Sequence, residues 1–547
     1  MRNKKKRNPK YIFVVGGVLS GVGKGVTTAS LGAIFRAKGF SVTALKADPY
    51  VNVDAGTMNP TEHGEVFVTN DGDETDQDMG NYERFLEVDL TSINYMTTGR
   101  VYQEVINNER SMKYKGKCVQ VVPHIPEEIN RRITHASSAN SAEITIIEIG
   151  GTVGEYENIL FLEAARMMKL ANPDDVAFVL VSYLPIPSHI GEMKTKPTQQ
   201  ACRLLNGAGI QPDMIIARSS AALDKPRKEK LAIHCGVKKD NCISAPNVSS
   251  IYSIPRIMDE QHIGNKLLKT LGISSRKTQL TRWNVLERKI QKAKKEVHIG
   301  VVGKYFGSGG FTLSDSYISV IEAIRHAAWY YGVIPKLTWI DSEEFEAKPA
   351  TLRSLGKYNG IIVPGGFGTR GIEGIINTIS YVRKKHIPYL GICYGMQLAT
   401  VEFARNVLQK KGAHTVEVDD AALHPIIHIN PHQAKHVKEN RYGGTMRLGA
   451  YDCVLEHGSR VRKLYKSKSV SERHRHRYEF NNEYKEMVHN AGLRIVGTNP
   501  ESSLVEIVEL ANHPFFVGVQ FHPEFLSKPL NPHPLFKGLI QAAINNK

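Results

Sequence analysis

The sequence predicts two α/β domains with mainly parallel sheets, joined by a helical and strongly basic linker. At 547 residues the chain is too long for one hydrophobic core. Short apolar strands alternate with segments of helical periodicity along both halves, which is typical of parallel sheets covered by helices. A run rich in lysine and arginine separates the two series at 277–296. We therefore expect one domain at 1–276 and a second at 297–547.

The composition favours a protein with polyanionic substrates. Hydrophobic residues make up 41% of the chain and charged residues 23%, as in ordinary soluble globular proteins. The net charge of +17 is compatible with nucleic acid, a membrane surface or substrates that carry several phosphates. Part of this charge lies in the leader 1–7 and the rest is dispersed. Because the sequence contains no known nucleic-acid motif, we expect phosphate-bearing substrates and neither nucleic acid nor membrane as a partner.

The sequence predicts a cytoplasmic location. The leader and the apolar residues 11–15 have the order of a signal peptide, but Gly16 and Gly17 interrupt the apolar run and no cleavage site precedes Lys24. No stretch reaches the length of a transmembrane helix. The six cysteines, at positions 118, 202, 235, 242, 393 and 453, form no CxxC pair. This pattern indicates a reducing compartment and no zinc site.

A glycine-rich turn joins the first strand to the first helix. The apolar residues 11–15 lead into GGVLSGVGKG at 16–25, and residues 26–38 continue with helical periodicity. Backbone N–H groups at such a turn can bind phosphates, and Lys24 adds a positive charge. Compared with the usual P-loop, the spacing is one residue longer and Gly25 replaces the Ser or Thr that would bind magnesium. The turn predicts a nucleotide site, with a merely tight turn as the alternative.

Carboxylates further along the chain could supply this missing magnesium ligand. Segment 70–78 is dense in Asp and Glu, and Glu148 interrupts the apolar strand 144–149. Magnesium binds one or two carboxylates together with substrate phosphates. The alternative for 70–78 is a solvated acidic loop. Beyond the next strand, GEMKTKPTQQ at 191–200 suits a triphosphate, but it is equally compatible with an ordinary basic loop.

A second strand-turn-helix elbow, PYLGICYGMQ at 388–397, surrounds Cys393 with two glycines. Such an elbow places the central side chain at a helix N-terminus, where backbone N–H groups favour a thiolate. A buried cysteine on a strand is more often inert. However, FHPE at 521–524 offers His522 as a base and Glu524 as its orienting carboxylate. The combination makes Cys393 a candidate nucleophile.

Together with PGGFG at 364–368, these residues resemble the class I glutamine amidotransferase family from about residue 297 onward. That resemblance implies a triad of Cys393, His522 and Glu524 that releases ammonia from glutamine. Nearly the whole chain resembles the CTP synthase family, through motifs that include KADPYVNVDAGTMNP, IIEIGGTVGEYE, GEMKTKPTQ, GGTMRLGAY and ERHRHRYEFNN.

This second resemblance implies a P-loop-type synthetase domain that aminates UTP to CTP. ATP phosphorylates O4 of UTP, and ammonia then displaces the phosphate. The resemblance also implies Mg²⁺ as cofactor, GTP as an activator of glutamine hydrolysis, CTP as a feedback inhibitor and a homotetramer.

The matching motifs imply a set of residues for each ligand. For ATP they are Gly21, Val22, Gly23, Lys24, Gly25, Val26, Lys46, Asp78 and Val248, and for magnesium they are Asp78 and Glu148. For UTP and CTP they are Ser20, Glu155, Tyr156, Glu157, Lys194, Thr195, Lys196, Pro197, Thr198, Gln199 and Lys230. For glutamine they are Gly366, Tyr394, Gly395, Met396, Gln397, Glu417 and Arg477, with Gly366 at the oxyanion, Glu417 at the ammonium and Arg477 at the carboxylate.

Other positions match motifs with roles outside these sets. Arg447 lies in the RLG segment associated with GTP, and Pro60, His63 and Val66 match residues that line or gate an ammonia passage. The sequence departs from the family pattern at Gly21, Val22, Ala47 and Tyr394, in Pro246-Asn247-Val248 near the adenine site, and in a glycine-rich extension at 304–315.

Three rival interpretations remain at this stage. A related ATP-dependent amidase fused to a glutaminase would share the deviant P-loop but should lack KTKPTQ. A P-loop ATPase of the partitioning type would suit the charge of +17. That ATPase has no use for Cys393, His522 and Glu524. A filament-forming protein without activity would not need the complete set of catalytic residues.

Overall fold

Residues 55–77 come from the first half of the sequence but pack with the second half. In the computed structural model, which describes residues 8–304, 307–308, 311–312, 314–430 and 445–546, the chain divides into two units. The first unit comprises 1–54 and 78–287, and the second comprises 55–77 and 288–547. We call residues 55–77 the strap. The leader 1–7 and much of the 304–315 extension lie outside the described residues.

The first unit is built on a seven-stranded sheet in which every pairing is parallel. Its strands, numbered in chain order, are β1 (Lys10–Gly17), β2 (Val42–Asp48), β5 (Tyr95–Thr97), β6 (Ile144–Ile149), β7 (Val176–Tyr183), β8 (Met214–Ser219) and β9 (Cys242–Pro246). They lie in the order β5-β2-β6-β1-β7-β8-β9. Successive residues of β1 enter different hydrophobic clusters, Phe13 on one face and Ile12 and Val14 on the other. The sheet is therefore buried on both faces, which explains its uninterrupted apolar strands.

Helices follow most strands of the first unit, so the turns after the strands meet at one edge of the sheet. The helices are α1 (Lys24–Ala37), α3 (Asp78–Leu86), α4 (Thr98–Arg110), α5 (Val121–Ala139), α6 (Ile159–Ala171), α7 (Lys196–Gly207), α8 (Lys225–Cys235), α9 (Ile254–Glu260), α10 (Ile263–Thr270) and α11 (Thr281–Lys292). The last of these lies within the predicted linker, and the division between the units falls inside it.

The second unit is built on a nine-stranded mixed sheet. The strands of this sheet are β10 (Glu296–Gly303), β13 (Ile334–Asp341), β14 (Gly360–Val363), β15 (Tyr389–Ile392), β18 (Arg447–Leu455), β19 (Ser469–His476), β21 (Leu493–Thr498), β22 (Val505–Leu510) and β23 (Phe516–Val519). They lie in the order β13-β10-β14-β15-β23-β22-β21-β18-β19. From β13 to β23 the pairings are parallel, and from β23 to β19 they are antiparallel. The α/β prediction is confirmed, and the part of this sheet from β23 to β19 is antiparallel.

Short strands and the remaining helices complete the second unit. The short strands are β3 (Phe67–Val68), β4 (Glu74–Thr75), β11 (Gly307–Ser308), β12 (Phe311–Thr312), β16 (Ala413–Thr415), β17 (His424–Ile429) and β20 (Tyr478–Phe480). The helices are α2 (Pro60–His63), α12 (Ile318–Tyr330), α13 (Ser342–Ala347), α14 (Ile372–Lys384), α15 (Tyr394–Asn406), α16 (Arg460–Tyr465), α17 (Lys485–Asn490) and α18 (Pro534–Asn545). None of the helices among the described residues is both long enough and apolar enough to cross a membrane.

Candidate active sites

Cys393 lies in a strained turn between β15 and α15. Its φ of 49° and ψ of −98° fall in a region that non-glycine residues rarely adopt. A Cβ on Gly395 would lie 2.3 Å from the carbonyl oxygen of Val363, and a Cβ on Gly391 would lie 2.7 Å from the backbone carbonyl carbon of Gly395. The elbow therefore requires both glycines. Gln520 Nε2 donates to Cys393 Sγ at 3.6 Å, and this thiol lies 3.9 Å from the backbone oxygen of Arg475.

His522 and Glu524 form a buried hydrogen-bonded pair beside Cys393. The Nδ1 of His522 donates to Glu524 Oε1 at 2.8 Å, which leaves Nε2 as the functional nitrogen. Nε2 is buried and has no hydrogen-bond partner among the residues that the structure describes. Burial by itself lowers the pKa of His522, but Glu524 and Cys393 outweigh it and raise that pKa to about 10. The imidazole is therefore an imidazolium at neutral pH.

One cavity of about 430 Å³ in the second unit brings the triad together with predicted glutamine-site residues. Besides Cys393, His522 and Glu524, its lining includes Gly366, Gln397, Glu417 and Arg477. Gly365 also lines it, and a Cβ there would lie 2.7 Å from Cε1 of His522. This glycine leaves room for the imidazole ring. The cavity is large enough for an amino acid and carries both acidic and basic groups.

The other predicted glutamine-site residues lie in the first turn of α15 and do not line the cavity. Tyr394 donates its hydroxyl to the backbone oxygen of Gly368 at 3.0 Å. Gly395 packs against Val363. Met396 packs against Gly518, where an added Cβ would lie 3.1 Å from its side chain. These residues support the elbow and the loop 364–368 from behind.

Lys304 is a residue at this site that the sequence did not reveal. Its ammonium donates to the backbone oxygen of Gly368 at 2.6 Å and lies 4.9 Å from the ring centre of Tyr394. Burial lowers the pKa of Lys304 to about 8. Glu417 accepts from the N–H of Gly368 at 3.0 Å, and burial raises the pKa of Glu417. Lys304 and Glu417 therefore both hold the loop 364–368, which contains Gly366. The available signal was a lysine directly after the apolar strand β10.

The glycine-rich turn of the first unit has the shape of a phosphate-binding loop. Gly21 and Gly23 adopt φ values of 68° and 95°, which favour glycine. Lys24 starts α1 and donates to the backbone oxygen of Gly151 at 2.8 Å. Its ammonium is buried, and this burial lowers the pKa of Lys24 while Glu148 opposes the change.

The structure explains the glycine at position 25. A Cβ on Gly25 would lie 2.0 Å from Oδ1 of Asp78. The carboxylate of Asp78 thus occupies the space that a Ser or Thr side chain would take in the usual P-loop. The carboxylate of Asp78, a predicted metal ligand, therefore explains why position 25 departs from the P-loop pattern.

Three carboxylates near this loop form ion pairs with Lys46. Its Nζ lies 2.5 Å from Asp78 Oδ2, 3.1 Å from Glu148 Oε1 and 3.6 Å from Asp48 Oδ1. Tyr82 donates its hydroxyl to Glu148 Oε2.

Burial raises the pKa of Glu148, and it raises the pKa of Asp48 to about 6. For Asp78, Lys46 outweighs burial and lowers the pKa. Tyr82 was not singled out from the sequence.

These oxygens fit a magnesium ion. Asp48 Oδ2 is buried without a hydrogen-bond partner among the described residues, and carboxylate oxygens are the ligands that Mg²⁺ prefers. Within the described part of the chain there is no group of three or more His, Cys, Asp or Glu side chains with the geometry of a complete metal site. A site completed by substrate phosphates and water agrees with how proteins bind Mg²⁺.

A second cavity of about 310 Å³ in the first unit adjoins the glycine loop. The predicted ATP residues Gly23, Val26 and Val248 line it. Arg218, which also lines it, donates to the backbone oxygens of Ala245 and Pro246 at 2.8 and 3.1 Å. Burial lowers the pKa of Arg218. The cavity has mainly apolar walls, as expected for a site that takes a flat base.

The residues predicted for UTP and CTP line neither cavity. Thr195, Thr198 and Gln199 are buried at the start of α7, where Gln199 donates to Thr195 Oγ1 at 3.0 Å. Tyr156 is 92% exposed. The remaining members are partly or fully exposed; they are Ser20, Glu155, Glu157, Lys194, Lys196, Pro197 and Lys230. The pyrimidine site thus stays a prediction.

Arg447 and the residues matched to the ammonia passage have different environments. Arg447 is buried and donates to Glu506 Oε1 at 2.7 Å. Burial raises the pKa of Glu506 to about 7 despite this arginine. Val66 lines the Cys393 cavity, His63 is exposed, and the side chain of Pro60 is outside the described residues.

The fold and the two sites define a class of enzyme in which a nucleotide-binding synthetase unit accompanies a class I glutamine amidotransferase. Residues 10–273 match the family described as CTP synthase N-terminus, and residues 312–542 match the family described as glutamine amidotransferase class-I. The chain belongs to the CTP synthase family, which confirms the resemblance.

Individual relatives cover nearly the full length. The CTP synthase of Caldanaerobacter subterraneus subsp. tengcongensis is 46% identical over 98% of this chain and 99% of that protein. The CTP synthase of Carboxydothermus hydrogenoformans is 47% identical over 98% of each. A solved Trypanosoma brucei CTPS glutaminase domain with bound acivicin is 37% identical and covers 46% of this chain and 95% of that domain, with a TM-score of 0.42.

Proposed function

We propose that this chain is a glutamine-hydrolysing ligase that converts UTP to CTP with ATP as phosphate donor. The observation that carries this proposal is the Cys393–His522–Glu524 constellation around one cavity, in a chain that belongs to the CTP synthase family over both units. The proposed synthetase region is 1–276, the linker 277–296 and the amidotransferase region 297–547.

Glutamine hydrolysis follows from the geometry of the triad. Cys393 Sγ, beside the imidazolium of His522, attacks the amide carbon of glutamine as the nucleophile. His522 then gives its proton to the departing ammonia, which leaves a thioester on Cys393. A water molecule, deprotonated by His522, attacks that thioester and releases glutamate. In this scheme backbone N–H groups near Gly366 stabilise the oxyanion, while Glu417 and Arg477 hold the ammonium and carboxylate of glutamine.

Amination of UTP uses the first unit. O4 of UTP attacks the γ-phosphorus of ATP, ADP leaves, and ammonia then adds to C4 and expels phosphate. Lys24 and Lys46 would neutralise charge on the transferring phosphoryl group. Asp78 and Glu148 would hold Mg²⁺, which when bound neutralises charge on the phosphates.

The regulatory parts of the proposal and the homotetramer rest on the family resemblance alone. We include GTP as an allosteric activator, CTP as a feedback inhibitor, a homotetramer and a cytoplasmic location. The scattered cysteines without a CxxC pair support a reducing compartment.

The test is an assay of CTP formation from UTP, ATP and Mg²⁺ with either glutamine or ammonium, in the presence and absence of GTP. We expect CTP from both nitrogen sources and stimulation by GTP of the glutamine reaction only. Hydrolysis of glutamine without CTP under any condition would leave the amidotransferase intact and refute UTP as the acceptor.

A further inference from the structure

The motif ERHRHRYEFNN places arginines and histidines on opposite faces of an edge strand. Along β19 and just beyond it, Arg473, Arg475 and Arg477 alternate with His474 and His476, so the two sets point in opposite directions. The histidines are buried, and burial lowers the pKa of each well below its usual value. The proposed function gives a role only to Arg477.

The other two arginines bind the strap. Arg475 Nε donates to Glu74 Oε1 at 2.8 Å. Arg473 donates through Nε to Asn70 Oδ1 at 2.5 Å and through Nη1 to the backbone oxygen of Val68 at 3.0 Å. Glu74 is 2% exposed. A buried, charge-assisted hydrogen bond of this kind contributes more than one at the surface, and the loss of one partner leaves an uncompensated charge.

The strap forms part of the wall of the cavity that contains the triad. Four strap residues, Gly56, Asn59, Glu65 and Val66, line the cavity together with Cys393 and His522. The Glu65 carboxylate accepts from the backbone N–H of Ser319 at 3.2 Å, at the start of α12. The ring of Phe67 packs against Phe525 with a centroid distance of 5.1 Å.

Arg475 connects the strap to the nucleophile. Its side chain binds Glu74 and its backbone oxygen lies 3.9 Å from Cys393 Sγ. Displacement of the strap would therefore open the cavity beside Cys393, where the C–N bond of glutamine is broken and ammonia is released.

We propose that Glu74 and Arg475 are positioning residues whose ion pair holds the strap closed over the glutamine cavity, so that ammonia released at Cys393 is kept from solvent. The inference rests on the proposed function. Neither residue takes part in bond making. When the pair is intact, each glutamine hydrolysed supplies one ammonia for one CTP. When it is broken, part of the ammonia escapes and glutamate forms in excess of CTP.

The experiment measures glutamate and CTP in the same reaction of the full-length protein, with UTP, ATP, Mg²⁺, GTP and saturating glutamine. Glu74→Gln keeps the shape of the side chain and removes its charge. Because a hydrogen bond to a charged group is worth a factor of roughly 10 or more in equilibrium, we expect the ratio of glutamate to CTP to rise at least about two-fold. Arg475→Gln should give a similar ratio, and the double variant should not exceed the single variants, since both remove one interaction.

A matched control is available within the second unit. Glu402 is buried, binds Arg383 through two hydrogen bonds of 2.8 and 2.9 Å, and does not line the cavity. Glu402→Gln removes a comparable ion pair away from the cavity, so it shows how the loss of any buried ion pair in this unit affects the ratio of glutamate to CTP. Its ratio of glutamate to CTP should equal that of the unmodified protein. Should Glu74→Gln not fold, Arg475→Gln gives the same test, because it removes the charge of the other partner of the ion pair.

The outcomes separate this inference from the proposed function. Absence of CTP in the unmodified protein would refute the proposed function. A balanced ratio in the unmodified protein that stays balanced in Glu74→Gln and Arg475→Gln would overturn the role of the ion pair. Equal losses of glutamine-dependent and ammonium-dependent CTP, with no change in the ratio, would indicate a merely structural contact and would also overturn it.

Discussion

The Nδ1 of His522 donates to Glu524 Oε1 at 2.8 Å, and both side chains are buried beside Cys393. The carboxylate fixes the tautomer of the imidazole and, with Cys393, raises the pKa of His522 to about 10 although burial acts in the opposite direction. His522 thus carries a proton throughout the neutral range, and that proton is available to the ammonia that leaves glutamine.

Glu524→Gln should slow glutamine hydrolysis by roughly 10²- to 10⁴-fold, the range lost when a catalytic base loses its orienting carboxylate. Without the carboxylate the pKa of His522 should fall toward its ordinary value. The alkaline decline of activity should then begin at lower pH than in the unmodified protein. Steady-state rates of glutamate formation as a function of pH measure both effects. An unchanged rate and pH profile would contradict the assignment.

Local patterns predicted the parts of these sites that depend on neighbouring residues. The bounds of β6 agree with the apolar strand predicted at 144–149. Short-range spacing also indicated the elbow around Cys393. The strap could not be predicted, because its position depends on contacts between distant parts of the chain. Arg475 and Glu74 lie 401 positions apart.

Cys393→Ala should abolish glutamine-dependent CTP formation and leave ammonium-dependent formation largely intact. Cys393 Sγ is the only group in the proposed scheme that attacks glutamine, whereas external ammonia needs only the nucleotide site. CTP formation with each nitrogen source checks this. Loss of both activities in a folded variant would contradict two separate sites.

Lys24→Ala should remove CTP formation with either nitrogen source. The buried ammonium lies in the phosphate loop, and its loss should reduce phosphoryl transfer by about 10³-fold or more, as for other charges that stabilise this reaction. Glutamate formation measured without nucleotides should persist, which serves as the internal control. Normal CTP production would show that the glycine loop is not the phosphate site.

Gly25→Ala should weaken the use of magnesium. The added Cβ would lie 2.0 Å from Asp78 Oδ1, so the carboxylate must leave its present position. We expect the magnesium concentration for half-maximal ammonium-dependent synthesis to rise by about ten-fold, which corresponds to one lost charge-assisted contact. Gly207→Ala is a matched control, since a Cβ there meets no atom within 4 Å. Equal magnesium dependence in both variants would contradict a metal role for Asp78.

Lys304→Met should raise the KM for glutamine by about ten-fold, the typical effect of losing a hydrogen bond from a charged group. In the unmodified protein the ammonium of Lys304 holds the loop 364–368 through the backbone oxygen of Gly368. Because burial lowers the pKa of Lys304 to about 8, this ammonium is present below pH 8 and becomes a neutral, weaker donor as the pH rises through that value. The KM for glutamine should therefore increase above about pH 8 in the unmodified protein, whereas in Lys304→Met it should be high at every pH and lack that increase. Measurements of KM between pH 7 and pH 9 distinguish the two proteins, and identical profiles would exclude Lys304 as the support of the loop.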